Sequence, residues 1–217
     1  MLLAALPILV ELFTSEGCSS CPPADAVLQR LHEAQPVPDV KLLVLSEHVD
    51  YWDSLGWRDP YSQHLFTERQ EQYGPRAYTP QVMVDGRTDV LGSDERGIER
   101  AAKAAAAEPH GVLDLKQSGQ KVQISVSALP RHGKARVFLA VVEDGLRDKV
   151  ERGENAGRTL AHTAVVRWLK PVHDLDAATP QWSGEVQAPE GKGWKSPRII
   201  AFVQEREESR VIAAGSL

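Results

Sequence analysis

The chain opens on a short apolar run, Ile8-Leu9-Val10-Glu11-Leu12-Phe13-Thr14, which predicts a buried strand. Ser15-Glu16-Gly17 reads as a turn, and a helix is expected after Cys18. Pro22 and Pro23 suit the first turn of that helix, where a missing N–H costs nothing. Ala26, Val27, Leu28 and Leu31 give it an apolar face. Pro36-Val37-Pro38-Asp39 ends the segment, and Val-Lys-Leu-Leu-Val-Leu-Ser over 40–46 predicts a second buried strand. Strand, helix, strand is a βαβ unit with a right-handed crossover and parallel strands. Cys18 follows one strand and His48 the other, so both are expected at the carboxyl edge of the sheet, where open α/β sheets place their chemistry.

The pattern then changes twice. Residues 48–77 mix aromatic and charged positions and read as an inserted, mostly helical segment, with helical character strongest over 62–73. Val82-Met83-Val84 and Thr88 to Gly92, joined through Asp85-Gly86, read as a hairpin. Ser93-Asp94-Glu95 caps an alanine-rich helix over 98–108. After Gly111 short strands predominate, over 112–116, 121–129, 136–143, 164–169, 184–187, 198–205 and 210–214, separated by Gly, Pro and Asp turns. Lys121 to Ser127 alternates strictly, so one face is buried and one wet. The expected architecture is an α/β thioredoxin-like domain over 1–110, with 48–77 as a helical insertion, followed by an all-β sandwich-like domain over 111–217.

Composition narrows the function classes. Charged residues are 25% of the 217, the net charge is −5 and no basic run occurs, so nucleic acid has no electrostatic footprint. No stretch reaches the roughly 18 apolar residues of a spanning helix. Met1-Leu2-Leu3-Ala4-Ala5-Leu6-Pro7 is apolar without a positively charged start; it reads equally as the trimmed end of an export signal or as the lead-in to the first strand.

Only two cysteines occur, in Cys18-Ser19-Ser20-Cys21. A disulfide scaffold would scatter more of them, and a structural zinc site would want four ligands. One tight pair between a buried strand and a helix fits a redox dithiol. Cys18 is expected to attack and Cys21 to resolve the mixed disulfide. Thioredoxin-like domains place a cis proline beside the dithiol, and that resemblance implies that Thr79-Pro80, at the start of the strand after the insertion, is cis and exposes the Thr79 backbone to a bound peptide or thiol, against the plainer reading of a trans proline opening an edge strand. Glu11 interrupts the first strand; it is either a buried proton acceptor for Cys21 or a solvent-facing edge residue. His48, Tyr51, Trp52 and Tyr78 are the candidate substrate-binding residues, against the plainer readings of a hydrogen-bonded histidine and core aromatics. Nothing in the pattern asks for a cofactor. The polar loop Glu154-Asn155-Ala156-Gly157-Arg158 reads either as docking against the first domain or as a solvated turn, with docking favoured.

These motifs resemble a known family. Glu11 to Asp25 looks like its opening motif; His48-Val49-Asp50-Tyr51-Trp52-Asp53, Leu55-Gly56-Trp57, Tyr78-Thr79-Pro80-Gln81 and Gly153 to Leu160 resemble its later ones. The family is the bacterial group of predicted secreted, thioredoxin-like proteins known as DUF1223. The resemblance implies a thioredoxin-like fold with a β-rich extension and export to the periplasm or beyond, and supplies no substrate. Compared with thioredoxin, Ser-Ser replaces Gly-Pro between the cysteines and no tryptophan precedes Cys18. The leading expectation is a thiol–disulfide oxidoreductase acting on protein thiols and disulfides or small thiols, with a membrane redox partner as a further expectation. The alternatives are a non-catalytic binding module and a copper-handling protein using the thiolates and His48.

Overall fold

The computed structural model describes residues 5–195 and 197–217, so Met1–Ala4, where the apolar lead-in begins, lie outside the described residues. Strand β1 (Leu6–Thr14) runs into helix α1 (Pro22–Ala34) and returns as β2 (Val40–His48). The two strands are parallel and paired from Leu6↔Val40 to Thr14↔His48. Strand β3 (Gln81–Val84) lies antiparallel to β1 on its other side, and β4 (Thr88–Leu91) follows it. In the turn between them Asp85 and Gly86 both have positive φ, 53° and 70°. A Cβ on Gly86 would collide with the Ser209 carbonyl, so the Asp-Gly signal is a steric requirement here. Asp94 caps α3 (Glu95–Ala105) by accepting from Gly97 N at 2.9 Å.

The expected fold class is overturned at the other edge of β2. Strand β10 (Val165–Leu175) joins that edge in parallel at Val165↔Ser46, and Ser46 N donates to Ala164 O at 2.8 Å. Beyond it lie β7 (Ala135–Glu143), β12 (Arg198–Glu205) and β13 (Val211–Ser216). The result is one mixed eight-stranded sheet in the order β13-β12-β7-β10-β2-β1-β3-β4. The described residues are 42% strand and 16% helix, so the chain is mostly β. It is not an α/β thioredoxin-like fold with a helical insertion and a separate all-β sandwich. The physical reason lies in β2: Leu42, Leu43, Val44 and Leu45 are all buried, so both of its faces are covered, and its free edge is satisfied by a strand from the later half of the chain. The 48–77 segment is likewise corrected. It holds one helix, α2 (His64–Gln72), preceded by turns punctuated by Gly56 and Pro60.

Beside the large sheet, β5 (Val112–Ser118), β6 (Lys121–Ser127) and β11 (Trp182–Gln187) form a three-stranded sheet, and β8 (Leu146–Lys149) pairs with β9 (Thr159–His162). Val122, Ile124 and Val126 of β6 share an apolar cluster with Leu139, Val141, Ala201 and Val203 of the large sheet. A second cluster joins Leu28 and Leu31 of α1, Ile98 and Ala102 of α3, and the buried residues of β1 and β2.

An ionic group is buried in this core. Arg69 of α2 donates from Nε to Glu11 Oε1 at 2.6 Å and from both terminal nitrogens to Gln204 Oε1 at 3.2 and 3.3 Å. Tyr73 OH donates to Glu11 Oε2 at 2.6 Å. Glu47 comes within 3.5 Å of Arg69 Nε, yet neither of its oxygens is hydrogen-bonded. Burial first, and then the neighbouring Glu11, push the Glu47 carboxyl well above the ordinary glutamate value, against the pull of Arg69. The folded chain thus keeps a proton here that the unfolded chain releases above about 4.5. That contribution to stability is complete below the ordinary value and is lost as pH rises toward the folded one. Glu47→Gln fixes the neutral state in both forms. Its stability in urea should match the wild type near pH 4 and exceed it by about 1–3 kcal/mol at pH 8. An equal gap at both pH values would mean that Glu47 is ionised in the fold.

Candidate functional site

The cysteine loop sits where β1 gives way to α1. Cys18 and Cys21 are joined as a disulfide with a Cα–Cα distance of 5.4 Å. Cys18 N donates to Ser15 O at 3.2 Å, and Cys21 N to Cys18 O at 3.2 Å, so the bridge spans one tight turn. Helix α1 begins at Pro22, after the second cysteine and not after the first. Cys21 is its N-cap, and its carbonyl accepts from Ala24 N and Asp25 N at 2.8 and 3.1 Å. Both cysteines are 0% exposed.

Three elements cover them. Ser20 Oγ lies 3.3 Å from Cys18 Sγ and donates to Thr79 O at 3.5 Å, which brings the Thr79–Pro80 loop against the cysteines; that peptide is cis. Trp52 Nε1 donates to Thr79 Oγ1 at 2.9 Å. The Trp52 Cβ packs on Gly17 so closely that a Cβ there would come within 2.9 Å of it. From the later half of the chain, Asn155 Nδ2 donates to Glu16 O at 2.8 Å and to Cys18 O at 2.9 Å, and Ser19 N donates to Glu154 Oε2 at 3.1 Å. Asn155 is fully buried and Arg158 donates to its Oδ1 at 2.8 Å.

The structure therefore brings Cys18, Cys21, Thr79, Pro80 and Trp52 together. Tyr51 stands at the rim, 39% exposed, with its hydroxyl on Gln70. Tyr78 is turned to Asp89, its hydroxyl 2.6 Å from Oδ1, while Gln70 holds its carbonyl. Glu11 is not part of this group. It is buried, not at a wet sheet edge, and both its oxygens are committed to Arg69 and Tyr73. His48 is also fully buried, so it lines no solvent crevice.

Beneath the cysteine loop lies a group that the spacing of residues does not reveal. His48 Nδ1 donates to Asp59 Oδ2 at 2.7 Å, and Asp59 also accepts from Glu16 N at 2.8 Å and from Tyr61 N at 2.9 Å. The His48 and His162 rings meet edge to face, centroids 4.9 Å apart. His162 Nε2 donates to Glu16 Oε1 at 3.1 Å, and Trp57 Nε1 donates to Glu16 Oε2 at 2.7 Å. Asp25 of α1 accepts from Thr14 Oγ1 at 3.0 Å, and its Oδ2 stands 4.0 Å from His162 Nδ1. Burial pushes the Asp25 carboxyl up, against the fields of His162 and His48. Burial also opposes charge on His162, but the bond to Glu16 and the field of Asp25 hold its pKa above the ordinary histidine value. Asp59 is likewise penalised by burial, yet His48 holds it below the ordinary carboxylate range. Among the described residues no three His, Cys, Asp or Glu side chains are arranged to hold a metal ion. No described helix is long and apolar enough to cross a membrane.

Residues 9–204 match the pattern of a family described as "Protein of unknown function (DUF1223)". No curated protein matches the chain. Among solved structures, the crystal structure of an Agrobacterium tumefaciens protein superposes with a TM-score of 0.80 at 29% identity, covering 99% of this chain and 95% of that one. HBP35 of Porphyromonas gingivalis superposes with a TM-score of 0.71 at 14% identity, covering 99% of this chain and 76% of that one, a likeness of fold alone.

Proposed function

The chain belongs to the DUF1223 family, and from that premise we propose that it is a thiol–disulfide oxidoreductase working through Cys18 and Cys21. The observation that carries this reading is the Cys18–Cys21 disulfide at the mouth of α1, with the cis Thr79–Pro80 loop set against it through Ser20. In oxidation of a partner, a partner thiolate attacks Cys18 Sγ, the S–S bond breaks, and Cys21 leaves as the thiolate. A second partner thiolate then attacks the mixed disulfide and releases Cys18. Reduction of a partner runs the same bonds in reverse. The substrates are disulfides and thiols of exported proteins, or small thiols, met at the rim formed by Tyr51 and Trp52. The compartment is the periplasm or beyond, where such a disulfide persists, and a membrane redox partner resets it. Exchange requires Trp52 and the Asn155 loop to part, because both sulfurs are covered.

That burial favours a second reading, in which the disulfide is a staple and the chain a binding module. A bridge between residues three apart closes a very short loop, however, and restricts the unfolded chain least of all, so stabilisation is a weak reason for it. Equilibration with glutathione, followed by turnover on insulin disulfides, separates the two readings. The wild type should show a measurable couple, and Cys18→Ser should lose turnover by a factor on the order of 10³. Equal turnover by the two proteins, or no couple in the wild type, ends the proposal.

A further inference from the structure

The site described above leaves one step without a partner. When the disulfide opens, Cys21 carries either a proton or a charge at a place closed to water. We infer that Asp25, positioned by His162, is the group that exchanges this proton with Cys21. This rests on the thiol–disulfide reading above.

Asp25 lies one helical turn after Cys21, and the Asp25 N to Cys21 O bond shows that the helical geometry already includes the cysteine. Residues four apart share a helix face, so the Asp25 side chain projects from the face of α1 that carries Cys21. One carboxyl oxygen is fixed by Thr14 and the other faces His162 Nδ1, which has no hydrogen-bond partner. The remaining buried groups around it are committed. Glu16, in the turn after β1, is held by Trp57 and His162; Asp59, before α2, by His48, Glu16 N and Tyr61 N. Glu11 is held by Arg69 and Tyr73. Asp25 also lines a cavity of about 230 Å³ with Pro22, Gln29, Arg158 and Leu160, which gives its proton a way out. Burial already favours its protonated form, so it is poised to give a proton as well as to take one.

When the chain reduces a partner, Cys18 thiolate attacks the partner disulfide and expels one partner thiolate. Cys21 then passes its proton to the Asp25 carboxylate, and its sulfur attacks Cys18 Sγ, closing the disulfide and expelling the second partner thiolate. In the reverse direction the Asp25 carboxyl protonates Cys21 as it leaves. His162 acts through Asp25, holding its second oxygen in an electropositive field; it is a positioning residue.

The test follows reduced protein reacting with oxidised glutathione in a single turnover, quenched and read by intact mass. Asp25→Asn keeps the Thr14 bond and cannot accept the proton. It should form the mixed disulfide at Cys18 at the wild-type rate and resolve it slower by a factor on the order of 10² at pH 7, with the deficit shrinking as pH rises and Cys21 ionises unaided. His162→Gln should slow the same step and displace its pH profile. Resolution at the wild-type rate in both variants, or an equal slowing of both steps, overturns the inference while leaving the oxidoreductase reading intact. A wild type that forms no mixed disulfide overturns both.

Discussion

Arg69→Met is expected to unfold about 3–5 kcal/mol more easily than the wild type at pH 7. Arg69 is 4% exposed and faces two buried carboxyls, Glu11 and Glu47. Its guanidinium also lies 5.2–5.5 Å from the ring centroids of Tyr73, Phe138 and Phe202, contacts that a methionine keeps only as packing. What the substitution removes is the single cation that ties α2 to β1, to β2 and, through Gln204, to β12. Both glutamates then meet burial without their cation, and Glu47, already held well above the ordinary glutamate value, loses the one neighbour that pulled it down. Such groups contribute stability that is intact below the ordinary glutamate range and lost as pH climbs. The deficit of Arg69→Met should therefore be small near pH 4 and full at pH 7. Adding Glu11→Gln and Glu47→Gln should recover most of it, because neutral amides ask for no cation. Urea denaturation of the three proteins at the two pH values checks this. A pH-independent deficit would mean that Arg69 acts through its contacts with the rings and not through its charge.

The same group shows where the sequence stops being legible. Periodicity placed β1, α1, β2, the Asp85-Gly86 hairpin and α3, and most strands after Gly111, because each is specified by neighbours along the chain. It missed the short β8 and β9, whose four residues each carry too little pattern. A period of two says that Glu11 and Phe13 share a face; it does not say that the face is met by Arg69, 58 residues later. Nor does an apolar run say which strand takes its free edge. The βαβ reading of β1-α1-β2 holds locally, while β10 turns the sheet into a mostly β architecture through one parallel register pair. The cysteine pair was legible from its spacing; the cis Thr79–Pro80 bond was legible only through the resemblance to thioredoxin-like domains, since X–Pro geometry by itself favours trans. His162 and Asp59 were not, since an isolated histidine or aspartate carries no signal until the fold supplies its partner. The loop around Asn155 was visible as polar, but its anchor at Cys18, 137 residues away, is a fact of tertiary structure.

That anchor leads to the other large effect: Asn155→Ala should be reduced by dithiothreitol at least about tenfold faster than the wild type. Asn155 satisfies two buried carbonyls, those of Glu16 and Cys18, and is itself held by Arg158. Alanine leaves both carbonyls without their partner, at a cost of about 2–4 kcal/mol. If the loop is a cover that parts for exchange, most of that cost falls on the closed form alone, because water reaches the same carbonyls once the loop lifts. The opening equilibrium then shifts by the whole amount, and reduction follows it. If the loop moves only when the chain unfolds, the cost appears as global stability. The two cases divide on urea: reduction through local opening exposes little surface and barely responds to low concentrations, whereas reduction through global unfolding accelerates steeply. We expect the shallow dependence in both proteins, with Asn155→Ala displaced upward. Arg158→Ala, which leaves both Asn155 donors in place, should fall between them. A steep urea dependence shared by all three would make the Cys18–Cys21 disulfide a closed element of the core, and the Asn155 loop part of its wall.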